Sequence, residues 1–170
     1  MKDITICFTG HRNFAHNIEE LRKRLMAIIE DLYNQGYSQF CAGGALGFDT
    51  LASQCVLRLK QEKKDVKLKI FVPHLNQSSG FSDEDKIIYE EILRDADEII
   101  LTSRNYYRGC YHTRNRAMVD ESSFCVAYLN KGSGGTFYTY NYAKRKGLEI
   151  INLGTYKEKE EPQLNIFDTP

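Results

Sequence analysis

The sequence predicts a single α/β domain in which a mostly parallel sheet is covered by helices on both faces. Short apolar runs that end at turn residues alternate with segments in which apolar residues recur at helical spacing. Strands separated in this way by helices form βαβ units, whose crossovers are right-handed. The chain has 170 residues, 42% of them hydrophobic, which is long enough for one domain with its own core.

Six runs are predicted to be strands because they are short, apolar and bounded by turn residues. They are residues 4–8, 37–42, 66–72, 98–102, 124–129 and 148–153. Five helices are predicted at residues 17–36, 46–62, 82–96, 110–122 and 136–147. Asn17 is placed as the N-cap of the first helix and Gly36 as its stop. Ser82 and Asp85 are spaced as a capping box, and Gly147 ends the last helix.

Composition and charge exclude several classes of protein. Twenty-three basic residues balance 23 acidic ones, so no global field attracts nucleic acid or a membrane. The first apolar run is too short for a signal peptide, and no stretch approaches the length of a membrane span. Five cysteines without CxxC spacing favour reduced thiols and a cytoplasmic location. We expect one domain at 1–154 and a charged, proline-marked C-terminal tail at 155–170.

The conspicuous glycines and arginines follow strands, at the places where the carboxyl ends of parallel strands meet. In an open parallel sheet, ligands bind beyond this edge. The segments concerned are "TGHRNF" (9–14), "GGALGFD" (43–49), "SRNYYRGCYHTRNR" (103–116) and "NKGSGGT" (130–136). We therefore expect a ligand site assembled from these four segments.

The segment 130–136 is the candidate for binding a phosphate. Its glycines let the backbone approach a ligand, and the helix that starts near Thr136 directs free N–H groups and a positive dipole end towards it. A simple turn between strand and helix with convenient glycines remains the alternative. The segment 43–49 differs because Asp49 at its helix start disfavours a phosphate. Asp49 caps the helix or, with Gly43 and Gly44 allowing close approach, contacts a ribose or base.

The segment 103–116 is cationic and rich in tyrosine, and it contains no acidic residue. Guanidinium groups suit phosphate oxygens, and tyrosine rings suit bases. The alternative is a solvated helix start whose arginines pair with Asp120 or Glu121. In the first segment, Arg12 can reach an anion, and His11 is either a base or a satisfied polar group. No cluster has the spacing of metal ligands, so we expect no metal, and no catalytic constellation stands out.

Three stretches together resemble the SLOG superfamily, close to its YpsA-like branch. They are "TGHR", "GGALGFDTLA" and "RNRAMVDESSFCVAYLNKGSGGTFYTYNYAKRKGLEII", and the resemblance covers residues 3–153. It implies a Rossmann-like fold and binding of nucleotides or nucleotide-derived ligands. The superfamily also contains the Lonely Guy phosphoribohydrolases and the DNA-processing protein A family.

The chain departs from the phosphoribohydrolase pattern, which has an arginine–lysine pair followed by P-G-G-x-G-T-x-x-E. Here Asn115 follows Arg114, Ser133 replaces a glycine, and Thr139 replaces the glutamate. The resemblance therefore implies binding or sensing of a nucleotide or ADP-ribose-type ligand, without a defined catalytic residue. One alternative is a hydrolase of nucleotide N-glycosidic bonds, in which Asp49 or Glu121 takes the place of the missing glutamate. Another is a protein that binds single-stranded nucleic acid.

The residues expected to bind the ligand belong to the four segments at the sheet edge. They are Gly10, His11, Arg12, Gly43, Gly44, Asp49, Arg114, Arg116, Gly132, Ser133, Gly134, Gly135 and Thr136. Assembly into a homo-oligomer is left open. In the tail, "QLNIF" resembles the motif by which bacterial proteins dock on the sliding clamp, through Gln163, Leu164 and Phe167. The alternative is that these apolar side chains fold back onto the domain.

Overall fold

Six strands and five helices alternate along residues 1–159, the part of the chain that the computed structural model describes. The strands are β1 (Thr5–Gly10), β2 (Gln39–Ala42), β3 (Lys67–Val72), β4 (Glu98–Leu101), β5 (Phe124–Tyr128) and β6 (Glu149–Asn152). The helices are α1 (Ile18–Asn34), α2 (Phe48–Glu62), α3 (Asp83–Asp95), α4 (Cys110–Asp120) and α5 (Gly135–Arg145). The predicted α/β class is confirmed. Two short 3-10 helices, Lys2–Ile4 and Gln77–Gly80, were not predicted.

All six strands are parallel and lie in the order β4-β3-β2-β1-β5-β6. From β1 the chain builds the sheet outward through β2, β3 and β4, and it then crosses to the other side of β1 to form β5 and β6. The strand order therefore reverses between β1 and β5. In open parallel sheets this reversal opens a crevice beyond the carboxyl ends of the two strands, where ligands bind.

The sheet separates two apolar layers, as the prediction of helices on both faces requires. On one face, α1, α2 and α3 contribute buried residues such as Leu21, Val56 and Ile92. On the other face, α4 and α5 contribute Met118 and Ala143. The two layers bury the central strands β1, β2 and β5 on both faces, whereas the edge strands β4 and β6 stay partly exposed.

A row of three cysteines crosses the centre of the sheet on the face that α4 and α5 cover. Cys7 in β1 lies in register with Cys41 in β2 and with Cys125 in β5. All three thiols are free and buried. The row belongs to the core because cysteine packs as a small apolar side chain.

Local signals account for the helix ends. The side chain of Asn17 accepts hydrogen bonds from the N–H groups of Glu19 and Glu20 at 2.9 and 3.2 Å, as an N-cap does. The hydroxyl of Ser82 accepts the N–H of Asp85 at 3.1 Å and donates to the carboxylate of Asp85 at 2.9 Å. These interactions confirm the two predicted helix starts.

The loops after β1 and β2 touch at Gly47, which lies just before α2. Its φ of +85° is in the left-handed region, and a Cβ there would lie 2.3 Å from the carbonyl oxygen of Arg12. Only glycine permits both the backbone conformation and this approach. The contact fixes the position of the first loop relative to the start of α2.

We expect Gly47→Ala to lower the free energy of unfolding by about 2–4 kcal/mol, because backbone strain adds to overpacking. Gly36→Ala is the matched control, since φ there is +107° but nothing lies within 4 Å of the added Cβ. Its cost should be about 1 kcal/mol, from backbone strain alone. Urea unfolding followed by circular dichroism measures both. Equal costs for the two variants would contradict the close approach at Gly47.

The first residues of the predicted tail lie against the domain. The N–H of Tyr156 donates to the carbonyl of Leu129 at 2.9 Å, and its ring packs edge-on against Phe137 at 5.6 Å between centroids. The clamp-like residues Gln163, Leu164 and Phe167 lie outside the described residues. Within residues 1–159, no helix combines the length and the apolar character needed to cross a membrane.

Candidate functional site

A cavity of about 260 Å³, called here the central cavity, lies where the strand order reverses. Its wall comes from the end of β1, the loops after β1 and β2, the first turns of α2 and α5, and α4 between Tyr111 and Met118. The charged and polar lining residues on which the site depends are His11, Arg12, Asp49, Arg114, Asn115 and Thr136. Three of the four predicted segments contribute ring or charged side chains, and the fourth contributes the start of α5.

His11 connects the loops after β1 and β5. Its N–H donates to the carbonyl of Tyr128 at 3.3 Å, and its ring Nε2 accepts the N–H of Asn130 at 2.9 Å. Because Nε2 is an acceptor, Nδ1 carries the proton of the neutral ring. Burial and the nearby charge of Lys131 lower the pKa of His11. His11 is therefore a neutral hydrogen-bond donor at the cavity rather than a cation.

Arg114, in the second turn of α4, is only 3% exposed. Its Nη1 donates to the carbonyl of Phe71 at 3.1 Å and to the carbonyl of Gly43, and its Nε donates to Asn115 Oδ1 at 2.7 Å. A Cβ at Gly43 would lie 2.7 Å from the guanidinium carbon. The glycine after β2 is thus needed for the approach of Arg114, which ties the ends of β2 and β3 to α4.

Asp49 is the second residue of α2 and is 6% exposed. Its Oδ2 accepts the N–H of Ala45 at 3.3 Å, within the loop that precedes the helix. The predicted helix cap is taken by Gly47 instead, so the carboxylate serves the loop and not the helix end. The backbone N–H of Gly43 also acts on this carboxylate. Asp49 lines the central cavity, where its carboxylate can accept a hydrogen bond from a ligand.

Burial disfavours the charged forms of both Asp49 and Arg114. Burial raises the pKa of Asp49 to about 6, although Arg114 and the N–H groups of Ala45 and Gly43 act in the opposite direction. Burial likewise lowers the pKa of Arg114, and Asp49 opposes that change. Desolvation therefore outweighs the attraction between the two side chains. Such perturbed, converging groups in a cavity are typical of functional sites.

Two sources of positive potential face the same cavity. Arg12 is exposed, and no carboxylate within the described part of the chain forms an ion pair with it. Gly135 and Thr136, the first residues of α5, line the opposite wall. The N–H groups of a first helical turn have no partner within the helix, and with the helix dipole they favour an anion.

The structure brings together about half of the predicted site residues. Those at the central cavity are Gly10, His11, Arg12, Asp49, Arg114, Gly135 and Thr136. The remaining ones stand behind it or beside it. Gly43 contacts Arg114, and Gly44 packs against Tyr89 and Gln77. Arg116 donates to the hydroxyl of Tyr138 at 2.8 Å.

The glycine segment before α5 is exposed, and Gly132, Ser133 and Gly134 do not line the central cavity. Gly132 lies next to the Tyr156 ring, and Gly134 is the N-cap of α5 with a φ of +90°. Ser133 is exposed between them. Thr139, at the position of the phosphoribohydrolase glutamate, is buried and donates to the carbonyl of Gly135 at 3.0 Å. Its hydroxyl is thus used within its own helix.

Glu121 does not stand near the cavity, which corrects one alternative drawn from the sequence. A helix of a βαβ unit runs back from the carboxyl edge to the amino edge of the sheet, and Glu121 follows the end of α4. Its carboxylate lies 3.8 Å from Lys69 in β3. Asp49 is therefore the acidic residue that can serve the cavity.

Sequence reasoning missed a supporting network after β3. Gln77 is buried, donates to the carbonyl of Gly43 at 3.1 Å and accepts the hydroxyl proton of Tyr89 at 3.2 Å. His74 is also buried, and its Nε2 lies 3.3 Å from the hydroxyl of Tyr111, a cavity residue. The position of "PHLNQ" after a strand at the same sheet edge was the available signal.

Across residues 1–159, no three histidine, cysteine, aspartate or glutamate side chains are grouped so that they could hold a metal ion. The chemistry available at the cavity is that of a cationic mouth, a neutral imidazole donor and a buried carboxylate acceptor.

Comparison with known proteins relates this chain to one family by sequence and to another by fold. A model of the YspA SLOG family (YpsA) matches residues 6–158. UPF0398 proteins of Bacillus thuringiensis (strain Al Hakam) and Bacillus cereus (strain Q1) are 30% identical over 166 residues, covering 89% of this chain and 88% of theirs.

Two solved structures of DNA processing protein A share the fold. The Helicobacter pylori protein, described for its single-stranded DNA binding mode, has a TM-score of 0.65 at 16% identity. The Streptococcus pneumoniae protein has a TM-score of 0.65 at 18% identity. Each match covers 89% of this chain, which spans 65% of the first protein and 50% of the second. At sequence identities this low, the likeness shows a shared fold and nothing more.

Proposed function

Because the chain belongs to the YspA SLOG family, we propose that it binds a nucleotide-derived small ligand in the central cavity. One observation carries the proposal. Two buried ionisable side chains, Asp49 and Arg114, converge on a cavity at the reversal of strand order, opposite the first turn of α5. Buried charges are costly, and their presence around a cavity favours a ligand site over a packing role.

The arrangement suits the parts of a nucleotide. Arg12 and the N–H groups at the start of α5 supply charge and donors for a phosphate. The carboxylate of Asp49 accepts hydrogen bonds from hydroxyl groups such as those of a ribose, and the neutral ring of His11 donates to an acceptor. Arg114 donates to the carbonyl of Gly43 and attracts the Asp49 carboxylate through its charge. Its Nη2 has no hydrogen bond within the described residues.

We expect nucleotide-derived ligands to stabilise the protein against heat. The panel is ADP-ribose, NAD and nucleoside monophosphates, tested by differential scanning fluorimetry. When the ligand concentration is a hundred times Kd, binding to the folded state raises the free energy of unfolding by about 2.7 kcal/mol. For a chain of this length the Tm should rise by about 5–11 °C. A panel without any shift would overturn the proposal.

Gly135→Val tests the place of binding. A Cβ at Gly135 meets nothing within 4 Å, and its φ is not positive, so the variant should fold while its side chain covers the N–H groups of α5. We expect it to abolish the ligand-induced shift. Gly80→Val is the control, since Gly80 is equally open and lies outside the cavity. A shift retained in Gly135→Val would place the ligand elsewhere.

The raised pKa of Asp49, to about 6, favours one second candidate, hydrolysis of the N-glycosidic bond. A carboxyl group with such a pKa exchanges protons readily near neutral pH. Chromatography of nucleoside monophosphates incubated with the protein would reveal any free base that is released. Release of base that Asp49→Asn abolishes and Thr139→Ala retains would establish the hydrolase; unchanged nucleotides with a thermal shift support binding alone.

Single-stranded nucleic acid is the other candidate, raised by the fold likeness to DNA processing protein A. Tyr106 and Tyr107 are 67% and 44% exposed, next to the exposed Arg108. Phosphate contacts dominate such binding and need a sustained basic surface, whereas the chain carries no net charge. We expect weak binding at physiological salt in fluorescence anisotropy. Tight binding that Tyr106→Ala and Arg108→Ala together remove would favour nucleic acid instead.

The C-terminal motif supports a separate partner proposal, docking on a bacterial sliding clamp through Gln163, Leu164 and Phe167. Surface plasmon resonance compares a peptide of residues 159–170 with the same peptide carrying Leu164→Ala and Phe167→Ala. Equal signals from the two peptides, or none from either, would remove the proposal. Self-association into a homo-oligomer is measured independently by analytical ultracentrifugation.

A further inference from the structure

The strand β4 forms one edge of the sheet, and within residues 1–159 its outer side has no neighbouring strand. An edge strand directs a row of backbone N–H and carbonyl groups away from the sheet, where another strand can pair with them. Lysine, proline or a bulge usually protects such an edge. The strand β4 has the sequence EIIL, without lysine or proline, and its register with β3 is regular. Its outer side is therefore open to pairing.

Two large apolar side chains of β4 are exposed on the face of the sheet that carries α3. Ile99 is 51% exposed and Leu101 is 39% exposed. They lie in register with Ile70 and Val72 of β3, which are buried in the core layer beneath α1, α2 and α3. Directly opposite residues of paired strands point to the same face. The two side chains thus extend this core layer to the sheet edge, where the described part of the chain leaves it uncovered.

The other edge strand, β6, lacks this feature. Its Ile150 and Ile151 are partly buried, and each packs against one of the two core layers. Among the strands of residues 1–159, exposed large apolar side chains occur in β4. The edge at β4 is therefore the one that gains most from being covered.

The charges that flank β4 on the face with α4 change sign along the strand. The loop after β4 carries Arg104 and Arg108, which are exposed and form no ion pair with a carboxylate of residues 1–159. At the amino end, the carboxylates of Glu98 and Glu121 share one cation, Lys69, at 3.6 and 3.8 Å. The carboxyl end is therefore positive, and the amino end keeps one negative charge that Lys69 does not balance.

The face with α3 shows the reverse order of charge. Asp83 and Glu84 begin α3 and are exposed, and a helix between two parallel strands begins at the carboxyl edge of the sheet. At the amino end of β4, the carboxylate of Asp97 lies 2.8 Å from Lys60 and 3.6 Å from Lys67, so two cations share one carboxylate. On each face, the two ends of β4 thus carry opposite charge.

We propose that the protein forms a dimer in which β4 pairs antiparallel with β4 of a second copy, so that the two sheets become continuous. A two-fold axis at Ile100 places Ile99 of each copy opposite Leu101 of the other and covers the exposed apolar surface twice. This arrangement brings each end of β4 beside the oppositely charged end of the other copy, whereas a parallel arrangement would bring like charges together. The strand β4 does not line the central cavity, so the inference is independent of the proposed function.

Sedimentation velocity of the full chain tests the dimer, with Ile99→Lys as the variant. The substitution places a charge in the apolar contact twice per dimer, so we expect the Kd of the dimer to rise at least about tenfold. Ile18→Lys is the matched control and should leave the Kd unchanged, because Ile18 is 45% exposed and begins α1, which packs against α2. Melting curves followed by circular dichroism show whether both variants fold.

Disulfide cross-linking tests the position of the two-fold axis. Opposite residues of antiparallel strands have Cα atoms about 4.5–5.5 Å apart, within the range of a disulfide, so Ile100→Cys should give a covalent dimer on mild oxidation. Glu98→Cys is the control on the same strand, because its two copies would lie about 13 Å apart along the strands. The five native thiols are free and buried, so they do not compete.

A covalent dimer of Ile100→Cys without one of Glu98→Cys supports the antiparallel pairing. Three results would overturn the proposal: an unmodified protein that stays monomeric up to about 100 µM, an unchanged Kd in Ile99→Lys, or cross-linking of Glu98→Cys but not of Ile100→Cys. In the first case the open edge serves a strand of a different protein or peptide, and not a second copy of this chain.

Discussion

Replacing Arg114 with methionine is expected to lower the free energy of unfolding by about 3–5 kcal/mol. The carbonyl of Phe71 then loses the charged donor at 3.1 Å, and the carbonyl of Gly43 keeps only Gln77. Asp49 also loses the cation that opposes the effect of burial on its pKa. Methionine fills much of the same volume, so the cost measures lost polar interactions more than a cavity.

Arg116→Met is the matched control on the same helix. Arg116 is half-buried and hydrogen-bonds the side chains of Tyr138 and Thr113, not buried carbonyls. Its replacement should cost about 1 kcal/mol or less. Urea unfolding at pH 7 provides both values. If the Arg114 variant costs no more than the control, Arg114 does not tie α4 to the ends of β2 and β3.

The contribution of Asp49 to the stability of the protein should fall as pH rises from about 4 to about 6. Burial raises the pKa of this carboxyl to about 6 in the folded protein, whereas an unfolded aspartate has a pKa of about 3.9. Between these values the folded state keeps a proton that the unfolded state has released. The contribution is complete below pH 4 and is lost above pH 6, amounting to about 2–3 kcal/mol.

Asp49→Asn isolates this contribution because asparagine does not titrate. The difference in unfolding free energy between the two proteins should change by about 2–3 kcal/mol from pH 4 to pH 7, in favour of the variant at the higher pH. Asp97→Asn is a control of opposite sign. Burial opposes its ionisation, but bonds from Lys60 and the N–H of Leu68 prevail and lower the pKa of Asp97. If the difference in unfolding free energy between Asp49→Asn and the unmodified protein does not change with pH, burial does not raise the pKa of Asp49.

The order of elements was predictable because it depends on patterns within short windows. Apolar runs located every strand, and residues such as Asn17 and Ser82 marked helix starts through bonds to the next few N–H groups. The resemblance to the YpsA-like branch of the SLOG superfamily is confirmed at the level of family and fold. The sheet edge at which the site lies followed from the fold class alone.

The partners of the site residues were not predictable, because they depend on distances across separate βαβ units. Arg114 was expected to face a phosphate or a surface acid, yet its Nη1 serves the carbonyls of Gly43 and Phe71. Glu121 is one of the few acidic residues that the sequence places near the predicted sheet edge, and for that reason it is an alternative to Asp49. Glu121 follows the end of α4, however, and therefore lies towards the amino edge of the sheet.

The row of cysteines in β2, β1 and β5 gives the protein an internal reporter of motion. The hydrogen bond to Cys125 and burial raise the pKa of the Cys7 thiol, and burial raises that of Cys41, so thiolate is scarce in the row of the folded protein. A thiol reagent reacts with thiolate and needs access, so labelling requires that the layers part. The rate at which these three thiols are labelled without denaturant therefore measures how often the middle of the sheet opens, and a ligand that bridges β1 and β5 should slow it.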